Sequence, residues 1–401
     1  MKRGDRLFFI WLGVLAAAIL AGLITTFQLF TKGHGLFNTN DVIIWSLPLG
    51  VYIFLALASS GLTLLASIPL VFGVSRYEPL AKRLVFLAIA TLCGAFVSIG
   101  LELGNVWNMF YIMLSPNLSS PIWWMGAIYS VELVLLIVKF WRISIGDWES
   151  PISKSIGVVS VFCALVAPLM IGSIFGITES RVTYFGPVMS IYCLLMAMLS
   201  GVALFILYSL ILQKATGEQL SPAKMEIYDE VALILKYVAG AVLVFTVVKV
   251  AIESATRVPE FLMIRKYEHT FGTILGLQME VALGLVLPFL LLVFRAVRTS
   301  WAGKIVASGL LFVGTLGMHM EILISGQSHP IGPKAEQFGE ALSYVPSVWE
   351  WLVVVFALAV MLLLYTLGER YLDLEMITGR KTARGAHKPM VYRELKLEED
   401  R

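Results

Sequence analysis

Charged residues are scarce in this sequence. Asp, Glu, Lys and Arg make up 14% of its 401 residues, hydrophobic residues make up 58%, and the mean hydropathy is +0.85. Soluble globular chains are about 45–50% apolar, so this composition excludes a water-soluble globular protein. The formal net charge of +3 gives no reason to expect a nucleic-acid partner. The apolar runs recur from residue 8 to residue 368, which predicts a lipid bilayer as the environment.

Side chains that ligate metals are also few. The three cysteines, Cys93, Cys163 and Cys193, lie in apolar runs without C-x-x-C spacing, and they are too few for a four-cysteine iron–sulphur cluster. Of the five histidines only His319 lies well inside an apolar run, whereas a membrane-bound haem b uses two facing imidazoles. We therefore expect no haem, metal or iron–sulphur cluster in this chain. Redox work would need another subunit to carry the electrons.

The apolar runs predict ten transmembrane helices, because a helix that rises about 1.5 Å per residue needs about 20 residues to cross the hydrocarbon. The predicted spans are 8–29, 46–74, 84–104, 122–143, 155–178, 187–212, 231–255, 270–297, 301–327 and 349–368. We expect an all-α polytopic integral membrane protein. Its single transmembrane domain would cover 1–368, and 369–401 would form a polar tail.

The basic residues predict how the chain is oriented. If the ten helices alternate in direction, most lysines and arginines fall on one side, including Arg76, Arg142, Lys214, Arg295 and the basic tail. Positive residues are retained on the cytoplasmic side. We therefore predict that both termini are cytoplasmic, with the Trp-, Tyr- and Pro-rich loops on the other side.

Several ionisable residues fall within the predicted spans, where each must be paired, neutral or facing water. Glu132 and Glu280 each stand alone in an apolar run, which favours carboxyl groups that exchange protons. A neutral, hydrogen-bonded structural carboxyl is the alternative. Lys249 and Glu253 are four residues apart and can pair on one helix face, either as a relay or to hold helices together. Glu321 completes the predicted proton relay.

The spacing of the acids indicates an internal repeat. Glu102 and Glu253 are 151 residues apart, and Glu132 and Glu280 are 148 apart, each a step of four helices. Repeats that place polar sites at their interface are common in membrane proteins. Helices 2–5 and 6–9 are therefore predicted to form two related four-helix bundles.

Four segments resemble one known family. They are WSLPLGVYIFLALASSGLTLLAS (45–67), SIGLELGNVWNMFYIMLSPN (98–117), SSPIWWMGAIYSVELVLLIV (119–138) and MHMEILISGQSHP (318–330). In this order they resemble helices of NrfD-like proteins, the membrane subunits of the polysulphide reductase type. The likeness covers roughly residues 40–365. It is greatest to the longer ten-helix branch, which includes the membrane subunits of some hydrogenases and DsrP-type proteins.

The resemblance implies a function in a respiratory complex of the prokaryotic cytoplasmic membrane. Such a chain would bind menaquinone or ubiquinone near the outer surface and would not be catalytic alone. It would exchange electrons with a ferredoxin-like iron–sulphur subunit on the outer loops, alongside further redox subunits. The buried acids would give protons a route.

The family's site residues carry over only in part. Glu102 stands where the family has an acid near the quinone, and Tyr52 stands about where polysulphide reductase has a histidine. His319 falls where related chains often carry Arg. Trp107 and Tyr111 follow Glu102 at near-helical spacing and could flank a flat ring. The set Tyr52, Glu102, Trp107, Tyr111 and His319 is therefore the expected quinone site.

Three departures from the family pattern keep other functions open. Ile171 and Asn105 replace the usual His and Arg, and Tyr52 replaces a His. One alternative is an ion- or solute-translocating subunit that uses the same acids without quinone. The other is a passive membrane anchor that lacks quinone chemistry.

Overall fold

Apolar helices dominate the chain in the computed structural model. It describes residues 3–104, 111–181, 185–217, 221–256, 273–274, 277–328, 330–338 and 342–374. Within these ranges nine helices are long and apolar enough to cross a membrane, and one further apolar helix is shorter. The predicted all-α polytopic membrane fold is confirmed.

The ten helices follow one another with short connections. They are α1 (Arg3–Lys32), α2 (Leu47–Leu70), α3 (Glu78–Glu102), α4 (Pro121–Ser144), α5 (Pro151–Gly176), α6 (Val188–Thr216), α7 (Pro222–Thr256), α8 (Met279–Val293), α9 (Trp301–Ser328) and α10 (Val348–Tyr371). Short helical segments lie between them at Gly33–Leu36, Ser75–Tyr77, Tyr111–Leu114, Arg295–Thr299 and Pro333–Phe338. One antiparallel pair, β1 (Thr273–Ile274) and β2 (Leu277–Gln278), precedes α8.

Local sequence sets where several helices begin. Three of them start with a serine in extended backbone followed by proline in the first turn: α2 after Ser46, α4 after Ser120 and α5 after Ser150. Proline suits this position because the first-turn N–H groups have no acceptor within the helix. α10 begins with a capping box, in which Ser347 and Glu350 bond to each other's backbone N–H.

The eighth helix differs from the sequence prediction. The predicted span 270–297 was wrong, because the helix occupies only Met279–Val293 and the β pair lies within 273–278. Inside α8, Ala282–Val286 form a π-helical turn. Pro288 follows this turn; its ring has no N–H and crowds the carbonyl four residues earlier, which favours a wider turn there.

The helices pack as two four-helix bundles. In the first bundle α2, α3, α4 and α5 form a closed ring, and in the second α6, α7, α8 and α9 do the same. The bundles meet along α2 and α6, with α5 against α6 and α9 against α2 on either side. α10 packs on α3 and carries α1 on its other side. This is the pairing predicted from the repeated acids.

Two glycines bring α2 and α6 together. A Cβ on Gly61 would lie 1.9 Å from the carbonyl oxygen of Ala197, and a Cβ on Gly201 would lie 2.6 Å from the carbonyl carbon of Gly61. Small residues allow such close backbone contact in membrane helices, where hydrophobicity alone does not drive association. The junction between the bundles is thus a backbone-to-backbone contact.

Ion pairs cluster at the end of the molecule where α1 begins, here called the N-terminal face; the other end is the opposite face. Arg83 on α3 binds Glu369 on α10 through Nε and Nη2, at 2.7 and 3.1 Å. Lys304 on α9 is fully buried and pairs with Asp229 on α7. At the N-terminal face the first contact joins the first bundle to α10, and the second joins two helices of the second bundle.

Replacing Gly61 by Val tests the central contact. The new side chain would collide with the α6 backbone, so we expect the chain to lose about 3 kcal/mol of stability or to fail to accumulate. The matched control is Gly13→Val in α1, since a Cβ on Gly13 meets no atom within 4 Å. Thermal unfolding of the purified complex measures the effect; equal midpoints for the two variants would contradict the role of Gly61.

Candidate functional site

A polar cluster surrounds the start of α2 at the opposite face. Glu102, the last residue of α3, accepts the Ser46 N–H at 3.0 Å through Oε1 and the Ser46 hydroxyl at 2.5 Å through Oε2. An anionic group is favourable beside the positive end of a helix dipole. Both carboxylate oxygens of Glu102 therefore have partners, and these partners belong to the N-terminal cap of α2.

Gln327 of α9 holds the residues just before that cap. Its Oε1 accepts the N–H groups of Ile44 and Trp45, at 3.0 and 2.8 Å, and its Nε2 donates to the carbonyls of Trp45 and Leu323, at 3.2 and 3.0 Å. Gln327 is only 3% exposed. Backbone groups just before α2 are thus bonded by a side chain of the second bundle.

Tyr344 and Glu350 complete this cluster from the other end of the chain. The Tyr344 hydroxyl accepts the Leu47 N–H at 2.7 Å and donates to Glu350. Glu350 is fully buried and also accepts the Asn38 N–H at 3.2 Å and the Ser347 N–H at 2.5 Å. Burial, followed by the bond to Glu350, raises the pKa of Tyr344 above its usual range, so Tyr344 stays a donor at physiological pH.

The interior of the first bundle contains Glu132, which is fully buried on α4. Its Oε2 accepts the Ser60 hydroxyl of α2 at 3.3 Å, and Thr63 lies beside it. Within the described ranges its Oε1 accepts no hydrogen bond. Tyr129, one helical turn before Glu132, is also fully buried and interacts electrostatically with both Tyr52 and Glu132. Tyr52 therefore belongs to the first bundle's interior.

The second bundle contains His319, which is 6% exposed on α9. Its Nδ1 lies 2.7 Å from the Thr315 carbonyl, which can only accept, so Nδ1 carries the hydrogen and the neutral ring leaves Nε2 as an acceptor. Among the described residues Nε2 has no partner. The ring borders a cavity of about 10 Å³, lined by Ile53, Phe175, Met189, Tyr192, Cys193, His319 and Ile322. A cavity of this size holds one water molecule.

Sequence reasoning missed Tyr192, although a signal was present. The segment VYIFLALASSG (51–61) of α2 and IYCLLMAMLSG (191–201) of α6 share Tyr, Leu, Ser and Gly at a constant interval of 140 residues. Tyr192 is therefore the counterpart of Tyr52. It is buried, its hydroxyl points at the sulphur of Met318 at 3.8 Å, and it interacts electrostatically with Glu280.

The predicted quinone residues do not form one constellation. Tyr52 interacts electrostatically with Tyr129, whereas its neighbour Ile53 lines the His319 cavity and the ring of Phe54 lies 6.2 Å from that of His319. Tyr52 and His319 therefore lie in different surroundings, Tyr52 in the first bundle and His319 beside a cavity that both bundles line. Glu102 lies in the cap cluster.

The remaining predicted site residues lie at several separate places along the chain. Tyr111 lies in a short helix and is 59% exposed, and Trp107 lies outside the described residues. Glu280 and Glu321 are buried in the second bundle, at 8% and 4% exposure. Lys249 is half-buried on α7, and the side chain of Glu253 lies outside the described residues.

No metal site is found in the part of the chain that the structure describes. There, no three His, Cys, Asp or Glu side chains converge on a point that could hold an ion. Cys93, Cys163 and Cys193 are free thiols on three different helices. Nε2 of His319 and Oε1 of Glu132 are among the buried polar atoms that have no hydrogen-bond partner in the described part of the chain.

Two apolar four-helix bundles with buried titratable groups between their helices define an integral membrane protein. The chain belongs to the polysulphide reductase, NrfD family, whose model matches residues 35–331. The resemblance seen in the sequence is thereby confirmed.

Three relatives illustrate the range of proteins that the chain is similar to. A putative dimethyl sulfoxide reductase membrane subunit of Halobacterium salinarum is 24% identical, with 91% of each chain covered. An Hdr-like menaquinol oxidoreductase integral membrane subunit of Archaeoglobus fulgidus is 23% identical, covering 91% of this chain and 93% of its own. A selenate reductase subunit of Mesobacillus selenatarsenatis is 20% identical over 149 residues, which are 37% of this chain and 35% of its own.

Replacing Tyr344 by Phe tests the cap cluster. The Leu47 N–H would stay buried without its acceptor and Glu350 would lose a donor, so we expect a loss of about 1–3 kcal/mol of stability. Tyr371→Phe is the control, since Tyr371 is 74% exposed. Thermal unfolding in detergent compares the two; a Tyr344→Phe midpoint equal to that of the control would show that the cap contributes nothing.

Proposed function

We propose that this chain is the quinone-reactive membrane subunit of a multi-subunit respiratory oxidoreductase. The family supports this, as does the relative named as a menaquinol oxidoreductase integral membrane subunit, which matches over nearly the whole of both chains. The redox partners would be other subunits, among them a ferredoxin-like iron–sulphur protein docked on the opposite face. The chain would not be catalytic alone.

The observation that carries the proposal is the buried imidazole of His319. Its Nε2 is an acceptor without a partner among the described residues, in the half of α9 nearer the opposite face. Such an atom can accept a hydrogen bond from a hydroquinone hydroxyl, or donate one to a quinone carbonyl when the ring is protonated. Bound quinone would supply two-electron, two-proton chemistry at this point.

The hydrogen-bonding atom of His319 suits a quinone head group, but the cavity beside it is too small for one. The cavity beside His319, about 10 Å³, admits a water molecule and not a ring. A head group could reach Nε2 only if side chains such as Met189 changed rotamer, which an unbranched thioether does at little cost. Tyr52 in the first bundle is the second candidate contact, and Glu102 and Tyr111 lie nearer the opposite face. Trp107, outside the described residues, completes the proposed set.

Protons would pass through the buried acids. In the first bundle the proton-carrying group would be Glu132, beside Ser60 and Tyr129. In the second bundle these groups would be Glu280 and Glu321. Lys249 and Glu253 would extend the second set along α7.

We place the protein in the cytoplasmic membrane of a prokaryote, with the N-terminal face toward the cytoplasm. The basic loops on that side support this orientation, and the archaeal and bacterial relatives support a prokaryotic membrane. The transmembrane domain would cover 1–368, and 369–401 would be a cytoplasmic tail.

Quinol turnover of the assembled complex tests the site. We expect His319→Phe to lower quinol-dependent electron transfer by about 10²-fold, the usual scale for losing one proton-exchanging group, and Tyr52→Phe to lower it if Tyr52 also contacts the quinone. His34→Gln is the control, because His34 is half-buried and its Nε2 lies 3.0 Å from the Leu101 carbonyl. No bound quinone and no quinol activity in the wild-type complex would favour an ion-translocating subunit or a passive anchor instead.

Glutamine substitutions test the proton relay. We expect Glu132→Gln and Glu280→Gln each to slow quinol turnover and to change its dependence on pH, because an amide cannot take up a proton. Glu230→Gln is the control, since Glu230 binds Arg76 at 2.7 Å near the N-terminal face. If turnover and its pH profile survive both substitutions, the relay role of these acids is wrong.

A further inference from the structure

The first bundle buries a lysine that no described residue neutralises by direct contact. Lys139 on α4 is 5% exposed, and among the described residues its Nζ has no hydrogen-bond acceptor. Burying an ammonium in apolar surroundings costs several kcal/mol unless it is paired. A lysine with a structural role would be expected to touch an acid, as Lys304 does with Asp229.

Lys139 lies between Glu132 and the N-terminal face. It follows Glu132 by seven residues on α4, which is two helical turns and about 10 Å along the axis, so both side chains lie on one side of the helix. The two groups interact electrostatically across this distance. Lys139 is thus the next titratable side chain on α4 from Glu132 toward the N-terminal face.

A polar cluster beyond Lys139 reaches that face. Arg142 donates to Asp147 and to the Ser153 hydroxyl, each at 2.5 Å, and to the Ser150 hydroxyl at 3.0 Å. The side chain of Asp147 is 39% exposed. These four residues, Arg142, Asp147, Ser150 and Ser153, are called the Arg142 cluster below.

A small cavity connects Lys139 with the Arg142 cluster. Its volume is about 10 Å³, room for one water molecule, and its lining includes Lys139, Arg142 and Ser153. Gly157 on α5 lies close to the ammonium, since a Cβ there would be 4.0 Å from Nζ and 3.0 Å from Cγ2 of Val71. Lys139 can therefore meet water from one side and Glu132 from the other.

The charged groups around Lys139 are few. Glu132 and Arg142 lie on its own helix, and Asp147 lies in the loop that follows. From α3, the Lys82 ammonium lies 5.8 Å from the centroid of the Phe140 ring. The other residues that line the cavity carry no charge: Leu70, Ile143, Trp148, Ser153 and Ile156.

We propose that Lys139 carries protons between the Arg142 cluster at the N-terminal face and Glu132 inside the first bundle. This rests on the proposed function, because it names the side of the membrane with which the relay exchanges protons. The long, flexible side chain of Lys139 brings its ammonium to the Glu132 carboxylate; the ammonium releases one proton to it and becomes a neutral amine. The amine then takes one proton from water in the cavity, and the Arg142 cluster replaces that proton from solution. The reverse sequence returns protons to the same face.

The test uses the whole complex reconstituted in vesicles, with a pH dye on the side of the N-terminal face. Turnover is started with a soluble quinol analogue, and the proton exchange per electron is recorded for wild type, Lys139→Met, Lys139→Arg and Lys139→His. Lys82→Met is the control, because Lys82 is a half-buried lysine near the same face. The passive proton flux driven by a potassium diffusion potential is measured on the same vesicles.

The arginine variant separates a proton carrier from a fixed charge. Arg keeps the positive charge but does not give up its proton in proteins. We expect Lys139→Met and Lys139→Arg to lower proton exchange by about 10²-fold, Lys139→His to restore part of it, and Lys82→Met to leave it unchanged. If Lys139→Arg keeps full proton exchange, Lys139 acts only as a fixed positive charge near Glu132. If Lys139→Met keeps full proton exchange, Lys139 takes no part in proton transfer.

The experiment distinguishes failure of the proposed quinone function from failure of the proposal for Lys139. A wild-type complex without quinol turnover contradicts quinone chemistry, and the passive flux then decides the role of Lys139. An active wild type with unaffected Lys139 variants contradicts only the present inference. If Lys139→Met does not assemble, the arginine and histidine variants, which retain a charge or a titratable ring, decide between the two roles.

Discussion

The contact between α2 and α6 at Gly61 and Gly201 determines how the rest of the molecule is arranged. A Cβ on either glycine would overlap the backbone of the other helix, so the two bundles meet at the closest distance that helices allow. Both helices carry the same Tyr, Ser and Gly pattern. A repeated sequence therefore packs on its own copy, and each copy presents its tyrosine to its own bundle.

A polar group without a hydrogen-bond partner is costly in hydrocarbon, and this cost determines the contacts of the polar groups within the bundles. At the opposite face Glu102, Gln327 and Tyr344 bond the backbone at the start of α2, and Glu350 accepts hydrogen bonds from the Tyr344 hydroxyl and the Asn38 N–H. Deeper in the molecule some described groups keep an open hydrogen-bonding atom. Glu132, Lys139 and His319 are among them, and the chemistry of these three side chains involves protons.

Sequence alone predicts the part of this fold that depends on composition. Runs of apolar residues predict the ten helices, the spacing of the acids predicts the pairing of two bundles, and the isolated acids Glu132 and Glu280 are buried. The break in α8 was missed, because a hydropathy run does not register the effect of Pro288 or the β pair before it.

Side-chain partners were predicted less well than helices. The sequence predicts Glu102 as a quinone contact, yet both its carboxylate oxygens bond to Ser46, 56 residues earlier in the chain. Lys139 appeared to be one of many basic residues at a helix end, and only its place inside a closed bundle distinguishes it. Such contacts depend on how helices rotate about their axes, which apolar runs of this kind specify weakly.

The hydrogen bonds at the start of α2 have a consequence for biosynthesis. The Leu47 N–H is bonded by Tyr344, 297 residues later, and the Ile44 N–H by Gln327, 283 residues later. While the ribosome is still making the chain, the first bundle can insert but its α2 backbone lacks these acceptors. Until α9 and the residues before α10 are synthesised, the start of α2 must therefore be hydrated or shielded by the insertion machinery. Chains truncated before α9 lack these acceptors permanently, so we expect them to be substrates for membrane proteases.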